Sequence, residues 1–304
     1  MTGMSQISMI FVWIGLGLLL RRSVMPAAAF ARLNRFIVWV PLPATILLAL
    51  HALRWDPSYW IPISMAWLVF LAAAALFSAA GRLYGWSAGT VGALILTAGL
   101  GNTSFLGFPL LRALYGERAI PIAVLTDQPG SFLVLSTLGL AVASYFSERK
   151  ASFAGRMLRF PPLWALMASV LLRPFAFSAP VDAALSLSAR TLIPLALVSV
   201  GGALSFDRTH LLRERFPLAL GLAYKLLLAP LGLALLYVAV LHRRGEAVRI
   251  TLLEAAMGPM ITGSIVAIDY GLDAELCSLI VGAGVPICLI TVPLWAKLLE
   301  HLAI

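Results

Sequence analysis

The sequence is poor in charge. Asp, Glu, Lys and Arg make up 12% of its 304 residues, against about 25% in an ordinary soluble domain. It is equally poor in metal and redox chemistry, with two cysteines, Cys277 and Cys288, and four histidines, His51, His210, His242 and His301. The histidines are scattered, with no metal-ligand spacing. The cysteines share one apolar segment but face different sides of it, which reads as packing thiols rather than a disulfide or a metal pair. No polar domain or low-complexity tail stands out; the longest polar stretch is SERKASFAGRMLRF, 147–160. Enzyme signatures are missing too. Ser104 has no histidine at membrane depth to activate it, Asp127 has no second aspartate there, and neither H-E-x-x-H nor an aspartate-rich metal motif occurs. An enzyme is therefore not expected.

What the chain does have is apolar residues, 61% of the total, at a mean hydropathy of +0.97. With the bilayer as solvent, every backbone group must find a partner inside the protein, which leaves helices or a closed barrel. Barrel strands would alternate over about 10 residues; the runs here are continuous and about 20 long, as helices require. Ten are expected, near 4–20, 36–53, 59–81, 88–114, 119–146, 160–175, 190–206, 215–241, 248–268 and 274–297. The first is expected to be a helix and not a cleaved signal, because Arg21 and Arg22 follow its apolar run instead of preceding it. The net charge of +9 is assigned to Lys and Arg flanking the helices, and no nucleic-acid partner is implied.

The halves 1–150 and 151–304 resemble each other. LLLRR (18–22) echoes VLLRP (170–174), and PAAAFARLNRF (26–36) echoes PVDAALSLSARTL (180–192). Arg35 pairs with Arg190, Pro41 with Pro194, and Tyr115-Gly116 with Tyr270-Gly271, at an offset that stays near 152–155 residues. Five helices per repeat is an odd number, so the second repeat enters the membrane from the opposite side. The expectation is an all-α integral membrane protein of ten transmembrane helices in two inverted five-helix repeats. Loop charge sets its orientation. The side of the 147–160 loop carries 12 Lys and Arg and the side of the termini carries 9. Both termini are thus expected outside and that loop in the cytoplasm of a plasma (inner) membrane.

Two of the runs are interrupted. The fourth contains Gly101-Asn102-Thr103-Ser104 and Gly107-Phe108-Pro109; the ninth, its counterpart in the second half, contains Gly258-Pro259 and Thr262-Gly263-Ser264. Proline removes a backbone donor and glycine weakens the helix. Matched interruptions point to a central transport site, because unwound backbone exposes carbonyls, amides and half-helix ends. The candidate substrate-binding residues are Asn102, Thr103, Ser104, Phe105, Pro109, Pro259, Met260 and Thr262. Ionisable groups at membrane depth add candidates, since each needs a partner or a task. Glu254, Asp127, Gln128 and Asn102 would hold a coupling Na⁺ or serve H⁺, and Lys225, roughly 15 Å into its helix, is the candidate charge partner. No other cofactor or metal is implied.

NTSFLGFPLLRALYGERAIPIAVLTDQ (102–128) resembles the signature region of the auxin efflux carrier family: N-T-x-F-L-G-x-P, an aliphatic run, an aromatic residue with glycine, then D-Q. LEAAMGPMITGSIVAIDYGLD (253–273) resembles the family's second interruption, where A-A-M-P-P is more usual and this chain has Gly258 in place of the first proline. The resemblance covers nearly the whole chain. It implies the bile-acid/sodium-symporter-like fold, with helices 1, 2, 6 and 7 as a panel and helices 3–5 and 8–10 as the moving core. Broken helices 4 and 9 would cross at Asn102, Pro109 and Pro259, and Glu254 would resemble the cation-site glutamate of the bile-acid relatives. It further implies a secondary carrier of small organic anions such as malonate, malate or auxin-like carboxylates. Lipid is the surrounding partner, and a homodimer follows by analogy with plant members. A facilitative uniporter or channel for organic anions is the alternative.

Overall fold

The structure is a computed structural model that describes residues 3–23, 25–51, 53, 56–147, 161–204 and 214–304. His210 lies outside these residues, and so does all of the 147–160 loop except Ser147. The described residues are helical, and the only β-type pairing among them is one isolated bridge.

The helices in chain order are α1 (Gly3–Ser23), α2 (Ala27–Trp39), α3 (Pro41–His51), α4 (Trp60–Tyr84), α5 (Ala88–Ala98), α6 (Phe108–Tyr115), α7 (Ala119–Thr126), α8 (Leu140–Phe146), α9 (Pro161–Leu171), α10 (Ala179–Ala203), α11 (Arg215–Ala223), α12 (Ala229–Ala234), α13 (Glu246–Ala255), α14 (Ile261–Asp269) and α15 (Ala274–His301). Several of these run on through widened π-helical turns. Six resulting segments are long and apolar enough to cross a membrane: Ala28–His51, Pro57–Tyr84, Ala119–Phe146, Ala179–Ala203, Arg215–Val240 and Ala274–His301. These six correspond to the second, third, fifth, seventh, eighth and tenth of the expected runs. The runs at 88–114 and 248–268 fall short because each is cut into two short helices, and α9 has only 11 residues.

Prolines explain other details. Pro41 splits the second run, because α2 ends at Trp39, Val40 leaves helical geometry, and Pro41 opens α3. Pro194, Pro286 and Pro293 instead lie inside unbroken helices. Large apolar side chains such as Leu71, Leu187 and Ile290 are exposed, as they should be where lipid is the solvent.

Contacts divide the chain into two units. The first comprises the described residues within Met1–Pro57, Ser104–Val124 and Phe153–Leu204. Inside it, α1 lies along α10, and α3 packs on both α9 and α10. The α1–α10 approach depends on glycine. A Cβ at Gly17 would stand 2.0 Å from the Val198 carbonyl oxygen, and one at Gly201 would stand 2.0 Å from that of Ile14. Such backbone-to-backbone contact is the usual means of helix association in lipid, where apolar side chains gain nothing by leaving the bilayer.

The second unit comprises the described residues within Ser58–Thr103, Leu125–Ser152 and Ser205–Ile304. Helix α5 is its hub. Every residue from Thr90 to Ala98 is buried, and the helix packs against α4, α8, α11, α14 and α15. Gly263 lets α14 approach so closely that a Cβ there would stand 2.3 Å from the Leu96 carbonyl oxygen. Asp273 caps α15 by accepting from the Leu276 N–H at 3.0 Å, and accepts the Thr90 hydroxyl at 3.1 Å. Cys277 and Cys288 are both free and buried, and Thr97 donates its hydroxyl to Cys277 Sγ.

Substituting Gly201→Ala should force α1 and α10 apart and cost about 1–3 kcal/mol, as overpacking does. Thermal unfolding in detergent should show it as a lower midpoint, whereas Gly15→Ala, where nothing lies within 4 Å of the added carbon, should leave the midpoint unchanged.

Candidate transport site

Two interruptions meet inside the second unit. Helix α5 ends at Ala98 and α13 ends at Ala255. The stretches that follow pair with each other: Gly101 bridges Pro259 in antiparallel fashion, and the Asn102 N–H donates to the Gly258 carbonyl at 2.8 Å. The Met260 N–H donates to the carbonyls of Leu100 at 3.1 Å and Thr97 at 3.3 Å. Backbone that would be prohibitive in lipid is satisfied by this exchange.

Glycine permits the closeness. A Cβ on Gly258 would come to 3.0 Å from Cys288 Sγ and 3.4 Å from the Gly284 carbonyl oxygen. A side chain there, as in the A-A-M-P-P pattern, would require Cys288 to give by a few tenths of an ångström. At Gly284 a Cβ would stand 2.5 Å from the Pro259 ring. On the opposite side of the bridge, a Cβ on Gly101 would meet Lys225 Nζ at 3.0 Å and the Glu254 carbonyl oxygen at 3.3 Å.

Lys225 is fully buried and donates from Nζ to the Ala255 carbonyl at 2.9 Å. Its ammonium thus caps the carbonyl end of α13, where the helix dipole carries partial negative charge. The backbone around it is a π-helical segment, Tyr224–Leu228, one turn before Pro230. The ring of Pro230 would clash with the preceding turn, so the turn widens and the Leu226 carbonyl accepts Trp295 Nε1 at 3.0 Å. Tyr224 donates its hydroxyl to the Val69 carbonyl and sets its ring edge-on to Phe77, which fixes the segment from the α4 side.

Asp127 lies in a second π-helical segment, Asp127–Phe132, which contains Pro129. Here the carbonyl of Pro129 accepts Trp67 Nε1 at 3.1 Å. The buried Asp127 carboxylate accepts the Thr103 hydroxyl on one oxygen and the Gln128 amide on the other. A third π-helical segment, Thr103–Gly107, precedes Pro109 by one turn.

Glu254 is the penultimate residue of α13 and fully buried, within electrostatic reach of both Asp127 and Lys225. Neither of its carboxylate oxygens has a hydrogen-bond partner among the described residues. Asn102 Nδ2 and Gln128 Oε1 are likewise buried and unpartnered.

Asn102, Thr103, Asp127, Gln128, Lys225, Glu254, Pro259 and Met260 thus belong to one unit, linked through the paired interruptions, the Thr103–Asp127–Gln128 bonds and the three charges. Thr262 is exposed in the first turn of α14 and stands apart from these buried groups. Ser104, Phe105 and Pro109 belong to the first unit. Among the described residues no group of three or more His, Cys, Asp or Glu could hold a metal ion. Pattern reading missed Cys288 and Gly284, which set the space at Gly258-Pro259. Their signal was weak, since small residues in apolar helices are common.

Removing the ammonium by Lys225→Met should strand Glu254 and the Ala255 carbonyl and cost about 3–5 kcal/mol, as breaking a buried charge arrangement does. The double variant Lys225→Met/Glu254→Gln should recover a measurable part of that loss in detergent thermal unfolding.

The chain matches the family described as "Membrane transport protein" over residues 2–296. It is 27% identical over 275 residues to an "Uncharacterized transporter" of Methanothermobacter thermautotrophicus, covering 88% of each chain. Over 277 residues it is 23% identical to another "Uncharacterized transporter", from Methanocaldococcus jannaschii, covering 88% of this chain and 89% of the relative. With a family match that spans almost its whole length and paired helix interruptions in its interior, the chain belongs to the auxin efflux carrier-like family of membrane transport proteins and is a multi-pass membrane protein.

Proposed function

We propose that this protein is a secondary carrier of small organic anions such as malonate, malate or auxin-like carboxylates, working by alternating access around the paired interruptions. One observation carries the reading: buried polar atoms of Glu254, Asn102 and Gln128 stand without partners beside unwound backbone. Each such atom costs about 1–3 kcal/mol, a cost a protein keeps where a ligand repays it in the working cycle.

The charges support coupling to a cation. Glu254 lies within electrostatic reach of both the Lys225 ammonium and the Asp127 carboxylate, so within this trio one negative charge is left over. A Na⁺ or a proton taken up at Glu254 would neutralise it. The oxygen donors suit a hard cation, and the carbonyl ends of α5 and α13 favour positive charge. The proposed substrate set is Asn102, Thr103, Pro259 and Met260 at the paired interruptions, with Thr262 in the helix that follows.

The wider architecture belongs to the same proposal: inverted repeats at 1–150 and 151–304, termini outside, residence in the inner membrane and association as a homodimer. The contact units support a panel of helices 1, 2, 6 and 7, since α1, α2, α3, α9 and α10 all fall in the first unit and most of the remainder in the second.

Purified protein in liposomes should show saturable uptake and counterflow of a labelled organic anion from preloaded vesicles; a channel gives no counterflow. Glu254→Gln should lower coupled uptake about tenfold or more, the value of a charge-assisted interaction, while the protein still extracts and elutes as the parent does. Full activity of that variant would sink the coupling role. Comparing sodium-free buffer with a proton ionophore then assigns the ion.

A further inference from the structure

Ile10 and Trp13 of α1, Pro109 of α6, and Ile193 and Leu197 of α10 wall a recess of about 620 Å³ that lies wholly within the first unit. Two guanidinium groups break this apolar lining, Arg112 from the last turn of α6 and Arg190 from α10. Arg112 pairs with Glu117 through one terminal nitrogen, and its Nε is buried without a partner. Arg190 is exposed and has no hydrogen bond or ion pair with any described residue. Two cations against one carboxylate leave one positive charge uncompensated. The surface that continues from the recess is apolar. Helix α1 has no charged residue from Gly3 to Leu20, and Met9, which lines the recess, is followed by Val12, Leu16 and Leu19, all four exposed. Spacings of three and four put them on one face of the helix. From Met9 to Leu19 is about 15 Å at the helical rise, half of the roughly 30 Å hydrocarbon core and so the reach of the acyl chains of one leaflet.

We propose that this recess binds an anionic phospholipid of the surrounding membrane. Its phosphodiester takes the guanidinium of Arg190 and the unpartnered Nε of Arg112, and one acyl chain runs along Met9, Val12, Leu16 and Leu19. The charge count fits, because a phosphodiester carries one negative charge and the recess has one positive charge to spare. Guanidinium forks match phosphate oxygens bidentately, and basic pockets between spanning helices suit lipid head groups. A free phosphate would satisfy the arginines but gain nothing from the apolar lining or from the stripe beside it. A zwitterionic lipid brings its own ammonium, which offsets the charge that the arginines recognise. The bound lipid bridges α6, through Arg112, to α10, through Arg190.

Native mass spectrometry of the detergent-purified protein tests this, with phosphatidylglycerol and phosphatidylcholine of identical acyl chains added at equal concentration. Phosphatidylglycerol should be retained in clear excess over phosphatidylcholine, and it should raise the thermal unfolding midpoint of the parent. Arg190→Gln should weaken that retention about tenfold, the value of one charge-assisted hydrogen bond, and remove the rise in midpoint. Arg112→Gln should act in the same direction, and Arg190→Lys should recover part of the loss. All three variants should elute as the parent does without lipid, which shows that the arginines are not needed for folding. A large excess of glycerol phosphate or inorganic phosphate should leave the lipid in place. Equal retention of the two lipids, or retention that neither arginine substitution changes, overturns the proposal. So does displacement by either soluble phosphate, which makes the recess a site for a soluble anion.

Discussion

Everything around the central site depends on how unwound backbone is satisfied at membrane depth. The residues after α5 and those after α13 cannot complete their own helices, and no water in the bilayer core would replace the lost bonds. They satisfy each other. The Gly101–Pro259 bridge and the Asn102–Gly258 bond consume groups that would otherwise be orphaned. This exchange requires two backbones almost in contact, and the glycines follow from it: Gly101 beside the Lys225 ammonium, Gly258 beside Cys288, Gly284 beneath the Pro259 ring, Gly263 against the Leu96 carbonyl.

The charged groups follow from the same constraint. Two half-helices that stop in the interior present carbonyl ends, and carbonyl ends draw positive charge. Lys225 supplies it, reaching the Ala255 carbonyl from a turn that Pro230 has widened. Proline thus acts twice, once beside the breaks, where Pro109 opens α6 and Pro259 follows the end of α13, and once in the π-helical turns, where the carbonyls of Pro129 and Leu226 are tied down by Trp67 and Trp295. The indole bonds turn what would be local softness into fixed positions for Asp127 and Lys225. With these residues held, the unpartnered oxygens of Glu254 stand out as the groups the protein leaves available.

Much of this was legible in the residues. Matched Gly and Pro within two apolar runs located both interruptions, and a carboxylate or ammonium inside an apolar run marked Asp127, Lys225 and Glu254. The departure at Gly258 was visible as a missing proline, but its reason, the thiol of Cys288 from thirty residues away in the chain, was not. Hydropathy marked ten runs, and six of them appear as helices long and apolar enough to span; at 88–114 and 248–268 the composition is apolar but the backbone is broken, which hydropathy alone does not record because it averages over side chains and is blind to backbone hydrogen bonding. Thr262 reads like Thr103 in sequence, a hydroxyl near a glycine and a proline; its place in the first turn of α14 leaves it exposed while Thr103 binds Asp127. Arg112 and Arg190 lie far apart in the chain and read as ordinary helix-end charges until folding sets them around one cavity.

The sequence by itself determined that the chain lives in a membrane, that it is helical, which helices break, and which family it belongs to. These are properties of composition and local spacing, written in a few consecutive residues at a time. Only the tertiary structure decided that the two breaks hydrogen-bond to each other, that Lys225 caps α13 while Glu254 is left without a hydrogen bond, and that two distant arginines share an apolar cavity. Those facts are fixed by which surfaces pack within a few ångströms of each other, and hydropathy and residue type carry no record of that distance.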